Sequence, residues 1–518
     1  PTLRLAMDGD RVKARVKDGE RDRMIGEIVE VMSRARATVT GVLKRGGPGW
    51  LAFPEEADPS ASIRVHGFKK GVEPREGEVV VVHITQWPTM QHSASGEVRE
   101  VLGTPGQPRV RLTAVLRTRE LPDAFPEDVL RESRAFPDRV TPDLLAGRED
   151  LSALPLFTID GADAKDFDDA VSLEPVGTHL RLGVHIADVS RYVVKNTALD
   201  REAAKRATSV YLADRTVPML PPNLSDHLCS LMPRVDRLAL SCFMDLDEAG
   251  RIVSSRLAET VIKSWRRFTY EEIQALLDGG QVVDVHHKVF ESVSRMGLLA
   301  KKLTANRLRR GALDMNMPEY KVVVDKGGTP LRVEKRPRLD SHRLIEEFML
   351  AANETVAETL MKAHAAFPHR VHEDPDPAKL EALARELKTL GVRTPSDMVS
   401  KPARALQEIL QQAVGHPLEE TINYMTVRSL KQAQYAAKPG GHFGLASKAY
   451  THFTSPIRRY PDLLTHRAVK GFLRGDPKVR VTDQPLDKGT QHCSERERVA
   501  TEAERQSVDI LRAELLKR

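Results

Sequence analysis

Five aspartates fall within ten residues in the stretch Thr158-Ile-Asp160-Gly-Ala-Asp163-Ala-Lys-Asp166-Phe-Asp168-Asp169-Ala-Val, with apolar Leu156 and Phe157 before them and Ala170 and Val171 after. Carboxylates this close repel, and unaided some of them must take up protons. A bound divalent cation removes the conflict, and carboxylates at irregular spacing are hard oxygen ligands of the kind Mg²⁺ takes alongside water and phosphate. In a strand Asp166 and Asp168 would share a face and Asp169 would point away, so a loop is needed to bring them together. Gly161 permits one. The spacing does not fit a calcium EF-hand loop. A glycosidase wants two acids rather than four or five. A solvated acidic turn sits badly between apolar flanks. Metal-assisted phosphoryl chemistry is the physical reading, with two cations about 4 Å apart activating water and stabilising a leaving oxygen.

A basic and aromatic counterpart follows much later: Gly440-Gly-His442-Phe-Gly, then Tyr450-Thr-His452-Phe-Thr-Ser455-Pro456-Ile-Arg458-Arg459-Tyr460-Pro-Asp462. Pro456 is suited to start a helix with Ser455 as its cap, and the helix amides with Arg458 and Arg459 would then face an anion such as phosphate. A solvated double arginine, and histidines that only hydrogen-bond within the fold, are the plainer readings of the same residues. The chain has no GxxxxGK and no GxSxG, so neither a P-loop nucleotidase nor a serine hydrolase is supported.

The elements that must position these groups can be read coarsely. The 518 residues carry 41% hydrophobic and 29% charged side chains and a net charge of +6. That is a globular, multidomain composition with a basic balance that suits an anionic partner. The longest aliphatic run is Val79–Val82, which excludes a membrane-spanning helix. Three scattered cysteines give no disulfide framework or zinc motif and point to a reducing cytosol. The N-terminus has no apolar signal segment, and a start at Pro1 suggests processing or trimming. Residues 12–16 and 26–31 read as strands. Thr38–Leu43, Trp50–Phe53, Val79–Thr85 and Gly96–Leu102 read as a small barrel or sandwich. There Lys44, Arg45, Trp50, Phe53, Phe68, Lys69 and Lys70 interleave cations with rings, as a single-strand-binding barrel needs. Residues 109–155 are proline-rich and connecting. Leu180–Ile186 alternates as a strand. Ser341 is expected to cap a helix through Leu360, Asp376 another that stops at Gly391, and Thr490–Arg518 forms a polar tail helix.

With these residues the sequence resembles the ribonuclease II / ribonuclease R family of exoribonucleases, closer to its ribonuclease R branch. Asp160 to Asp169 is similar to the family's central signature, and His442 to Asp462 to its second. Val217-Pro-Met-Leu-Pro221 with Leu228-Cys-Ser-Leu231 is a third match and Leu344 to Asn353 a fourth. The resemblance implies a processive 3′→5′ exoribonuclease that hydrolyses single-stranded RNA to nucleoside 5′-monophosphates. It implies Mg²⁺, one or two ions with Mn²⁺ as a substitute, at Asp160, Asp166, Asp168 and Asp169. Asp168 is the most critical of these, and Arg458 holds the scissile phosphate. Tyr211 packs on the 3′-terminal base, and Tyr270, Met315, Glu347, His442, Tyr450, Arg459 and Glu504 are further expected RNA contacts. The family generally has Phe where Met315 stands, which softens ring stacking there.

The expected organisation is a partial cold-shock/OB-like domain at 1–35, a cold-shock/OB-like RNA-binding domain at 36–105, a connecting segment at 106–155 and a catalytic domain at 156–518. This is a small β-barrel N-terminal part, then a large mixed α+β catalytic domain with a helical C-terminal end. Residues 37–105 resemble the family's second cold-shock domain and residues 1–35 only the last strands of its first, and no match to its C-terminal OB-fold follows, so a truncated or processed form is expected. A cytoplasmic monomer with no membrane partner completes the expectation. The alternatives are an RNA-binding relative with little activity and an endoribonuclease using the same acidic site.

Overall fold

The computed structural model describes residues 5–7, 9–18, 24–34, 36–47, 49–54, 62–283, 286–315, 317–325, 328–476 and 484–517. Two strands, β1 (Arg11–Asp18) and β2 (Met24–Ser33), form an antiparallel hairpin. A closed barrel follows, made of β3 (Thr38–Gly46), β4 (Gly49–Phe53), β5 (Ile63–Phe68), β6 (Val79–Gln86) and β7 (Ser95–Gly103) in the order β3-β4-β5-β7-β6. Its period-2 alternation puts Val39, Leu43, Ile63, Val65, Val80, Val82 and Val98 inside. Arg45 lies over the Trp50 ring at 3.9 Å and Lys44 over Phe53 at 5.5 Å, so each cation is paired with a ring of the neighbouring strand. The strand β5 was not among the expected strands, although Ile63 and Val65 alternate with Arg64 and His66.

Three helices, α1 (Pro108–Thr118), α2 (Glu127–Arg134) and α3 (Pro142–Leu145), form the approach to the large domain, within which α4 (Ala198–Arg206) follows later. The sheet of that domain runs β10-β11-β14-β15-β8. Its strands are β8 (Glu149–Leu151), β10 (Asp169–Val176), β11 (His179–Ala187), β14 (Asp236–Leu246) and β15 (Ile252–Lys263); β8 is parallel to β15 and the others are antiparallel. Beside it lie β9 (Thr158–Asp160) and the short pair β12 (Val210–Tyr211) and β13 (Thr216–Val217), with β16 (Arg267–Thr269) parallel to β9.

Apolar side chains leave this sheet in two directions. Val171, Leu182, Val184, Ile186, Leu240 and Cys242 pack on helices α5 (Tyr270–Leu277), α6 (His287–Arg309) and α7 (Asp340–Lys362). Ala170, Ala187, Leu238 and Ala239 join a second core with Leu156, Phe167, Tyr192, Leu220 and Leu463. Helices α8 (Pro377–Thr389), α9 (Pro402–Ala413) and α10 (Glu419–Ser429) form a third cluster. Then come α11 (Tyr460–Leu473) and the 33-residue α12 (Gln484–Leu516).

Four expected helix starts can be compared with this arrangement. Asp376 does cap α8, accepting from the Ala378 amide. Ser341 is not a cap: α7 begins at Asp340, and the Ser341 amide is taken by the Gln274 side chain at 3.1 Å. No helix starts at Pro456. The backbone of Ser455–Arg459 is pulled into a turn, because Arg459 bridges to Thr208 and the Tyr460 amide donates to the Ala207 carbonyl, so α11 starts at Tyr460. The tail helix starts at Gln484 rather than Thr490.

Phe157 and Phe268 meet edge to face at 5.3 Å between ring centres, both fully buried, beneath the β9–β16 pair that ends at Asp160. Phe268→Ala is expected to destabilise this domain by about 3–5 kcal/mol. Urea unfolding checks it; a loss under about 1 kcal/mol would show that the ring does not support this layer.

Candidate active site

The acidic stretch begins on the last residue of β9 and ends on the first of β10, with a loop between. Sequence reasoning required that loop, and the structure explains its shape. Ser230 stitches it from beneath: the Phe167 amide donates to Ser230 Oγ at 3.0 Å, Ser230 Oγ donates to the Lys165 carbonyl at 2.7 Å, and the Leu231 amide donates to the Phe167 carbonyl at 2.9 Å. The Leu228–Leu231 motif therefore serves as the floor of the loop. The Arg267 guanidinium clamps its other end through the Gly161 and Ala162 carbonyls.

Asp160, Asp166, Asp168 and Asp169 line one cavity of about 370 Å³ with Tyr211, Tyr270, Glu346, Tyr450, His452, Arg458 and Arg459. Asp163 points elsewhere, highly exposed and paired with Lys321 at 2.9 Å. Parallel pairing of β9 with β16 sets Asp160 opposite Thr269, the cap of α5, so that Tyr270 opens the helix beside it. The Tyr270 ring stacks on His342 with centroids 4.0 Å apart. The Tyr211 hydroxyl donates to Asp166 Oδ2 at 3.3 Å, and its ring is partly exposed. The Glu504 carboxylate of α12 accepts from the Tyr211 amide at 2.9 Å and fixes that strand end.

Burial pushes all four carboxyls above their usual range. For Asp160 the Asp169 and Asp166 charges add to burial; for Asp168 and Asp169 the Arg458 guanidinium opposes it. Asp168 Oδ1 accepts from the Ile457 amide at 2.9 Å. Asp160 Oδ2 and Asp169 Oδ2 are buried with no hydrogen-bond partner among the described residues. Orphaned buried oxygens are costly, and these belong to hard anionic ligands facing one cavity, so the residues present fit a divalent cation. Among the described residues no three such side chains converge as a ready-made cage.

The second signature forms the opposite wall. Arg458 Nη2 donates to Ser455 Oγ at 3.1 Å. Asn353 of α7 holds the wall together, accepting from the Phe453 amide at 2.8 Å and donating to the Tyr450 hydroxyl at 3.1 Å. His452 Nδ1 meets the Tyr435 hydroxyl at 2.7 Å, and burial pushes its ring well below the usual histidine range. Asn353 and Ser230 were quoted only as motif letters; their support roles depend on contacts more than 60 residues apart in sequence.

Four expected contacts lie outside the cavity lining; Glu504 is one, acting on the site through the Tyr211 amide. Glu347 is turned away on α7 and buried against Arg307 at 2.7 Å; its neighbour Glu346 faces the cavity instead. Adjacent helical residues are about 100° apart, so a one-residue error in placing the motif reverses the side. Met315 packs among the apolar side chains of α8–α10. His442 accepts from the Leu445 amide through Nδ1 at 3.3 Å, and burial pushes it down to about 3, so it carries no charge to RNA at neutral pH.

An RNB domain matches residues 148–475, and a cold shock domain matches residues 54–126. Ribonuclease R of Thermotoga maritima is 40% identical over 524 residues, which span 99% of this chain and 73% of that protein. Mycoplasma genitalium RNase R, solved in complex with ribose-methylated single-stranded RNA, superposes with a TM-score of 0.90 at 27% identity over 99% of this chain and 82% of that one. Yeast Ssd1, a pseudonuclease, shares the fold at a TM-score of 0.72 and 20% identity over 96% of this chain and 63% of that one. Fold and acidic cavity together define an RNB-type nuclease. The chain belongs to the ribonuclease II / ribonuclease R family and is a 3′→5′ exoribonuclease.

The raised carboxyl values have a measurable consequence. A carboxyl raised on folding holds its proton longer in the folded state. The stability this gives is present below the unfolded value near pH 4 and is lost as pH rises through the folded values. Cation-free protein is therefore expected to unfold at progressively lower temperature between about pH 5 and pH 8. The Asp160→Asn/Asp169→Asn double variant should flatten this trend. Calorimetric scans check it, and an equally steep decline in the double variant would contradict the assignment.

Proposed function

We propose that this chain degrades single-stranded RNA processively from its 3′ end, releasing nucleoside 5′-monophosphates with Mg²⁺, one or two ions, held by Asp160, Asp166, Asp168 and Asp169. One observation carries the reading: four carboxylates, Asp168 buried and the others partly so, two with oxygens that lack a partner among the described residues, face an arginine and a partly exposed tyrosine across a single cavity. When bound, such a cation activates water and stabilises charge on the phosphoryl and leaving oxygens.

The chain's own groups supply position and charge. The Arg458 guanidinium, which among the described residues donates to Ser455 Oγ, keeps further donors for the scissile phosphate. The Tyr211 ring offers a stacking face for the terminal base, and its hydroxyl ties that face to Asp166. Water oxygen bonds to phosphorus while the bond from phosphorus to the preceding O3′ breaks. The released nucleotide keeps the 5′-phosphate, and the shortened strand gains a proton on O3′. Glu346 and Tyr270 flank the path at α7 and α5.

The barrel at residues 36–105 is read as a cold-shock-like RNA platform. Residues 1–35 are read as part of another such domain, 106–155 as the connection and 156–518 as the catalytic domain. Arg45 on Trp50 and Lys44 on Phe53 suit a strand whose phosphates and bases are gripped together. The Mycoplasma RNase R bound to single-stranded RNA supports the same partner for this chain. Among the described residues no helix is long and apolar enough to cross a membrane; a cytoplasmic monomer is the proposed state.

Because the same fold serves a pseudonuclease, the site chemistry decides between enzyme and binder. Asp168→Asn preserves shape and removes charge. It is expected to lower hydrolysis at least about 100-fold, the loss of some 3 kcal/mol of barrier stabilisation, with RNA affinity within about threefold. Labelled RNA separates the readings: mononucleotides from wild type with Mg²⁺ support the proposal, internal fragments indicate an endonuclease, and no product indicates a binder. A variant keeping more than about a tenth of the rate would remove Asp168 from the chemistry.

A further inference from the structure

One buried carboxylate near the site faces no substrate. Asp462, in the first turn of α11, is fully buried, and its Oδ1 accepts two hydrogen bonds, from the Ser455 amide and from Arg459 Nη2, both at 2.8 Å. Its Oδ2 has no partner among the described residues. The Arg459 amide donates to the Ser455 carbonyl at 3.0 Å, so one carboxylate ties both ends of the Ser455–Arg459 turn.

That turn delivers two groups to the cavity. Ile457 gives its amide to Asp168 Oδ1 at 2.9 Å, and Arg458 enters the lining. Its far side is held too: the Ser209 amide donates to the Arg458 carbonyl at 2.9 Å, and the Tyr460 amide to that of Ala207. Asp462 also separates the two arginines. Arg459, although it lines the cavity, is engaged by Asp462 in a buried pair and acts as part of the wall. The Arg458 guanidinium donates to Ser455 Oγ and, among the described residues, is in no ion pair, so it stays available to an anion.

We infer that Asp462 is a positioning residue for the hydrolysis: through the Ser455 amide and Arg459 it fixes the turn that sets the Arg458 guanidinium and the Ile457 amide against Asp168. The inference rests on the reading of Arg458 and Asp168 given above and adds the group that aims them. Displacement of a reacting constellation by about 1 Å can cost about 100-fold in rate. Asp462 offers nothing to the RNA itself, so the loss falls on kcat and not on KM.

The test is a double-mutant cycle on purified full chain with Mg²⁺ and single-stranded RNA. Asp462→Asn, which keeps the side chain's shape, is expected to lower kcat roughly tenfold with KM within about threefold, and Asp462→Ala to lower it further. Added to Arg458→Ala, Asp462→Asn should lower kcat by less than about threefold more, since both changes disable one step. Wild-type kcat in Asp462→Asn, an effect on KM alone, or losses that multiply in the double variant would each overturn the positioning role. Should Asp462→Ala not fold, the Asn series carries the same test. Wild-type kcat in Arg458→Ala would instead contradict the proposed function.

Discussion

Four carboxylates are held in one water-poor cavity against their mutual repulsion, and most of the surrounding architecture follows from that. Left to relax, the loop between β9 and β10 would spread its charges into solvent, as Asp163 does. It is prevented from spreading at several points. β9 is pinned to β16 over a buried Phe157–Phe268 contact. Ser230 and the Leu231 amide close the loop from below. The Ile457 amide meets Asp168 from the opposite wall. The energy for this comes from the two apolar cores on either side of the sheet, because burying hydrocarbon is the main favourable term available.

The cavity is also a meeting place of distant segments. Its carboxylates come from residues 160–169, its rings from Tyr211, Tyr270 and Tyr450, and its cation from Arg458. Helix α7 forms the wall between them and sorts its two adjacent glutamates, Glu346 toward the cavity and Glu347 into a pair with Arg307. Helix α12 reaches back to hold Tyr211 through Glu504. Burial keeps His452 of the lining, and His442 behind it, uncharged.

What was legible in the sequence tracks how local the physics is. The aspartate loop was readable because repulsion between near neighbours needs no tertiary information. The barrel strands were readable from alternation, save β5, whose alternation of Ile63 and Val65 with Arg64 and His66 is short and ends at Gly67. The α11 start was misplaced because Pro456 and Ser455 carry good local signals that the bridge to Thr208 and the Tyr460–Ala207 bond override. Glu347 and Glu346 could not be told apart without the helix phase. Asp462 and Asn353 were visible as letters, but their work is done on partners that the fold alone supplies. The family resemblance grouped the site residues ahead of any tertiary contact, whereas the packing of Met315 against the α8–α10 side chains could come only from the fold.

Direct observation of the cation is the sharpest test. Anomalous diffraction from crystals grown with Mn²⁺ and a short single-stranded RNA carrying a non-hydrolysable 3′-terminal linkage would locate the metal and the phosphate together. The account predicts Mn²⁺ among Asp160, Asp166, Asp168 and Asp169, in contact with a phosphate oxygen that Arg458 also meets. Ordered RNA in the cavity with no manganese at these carboxylates would contradict it.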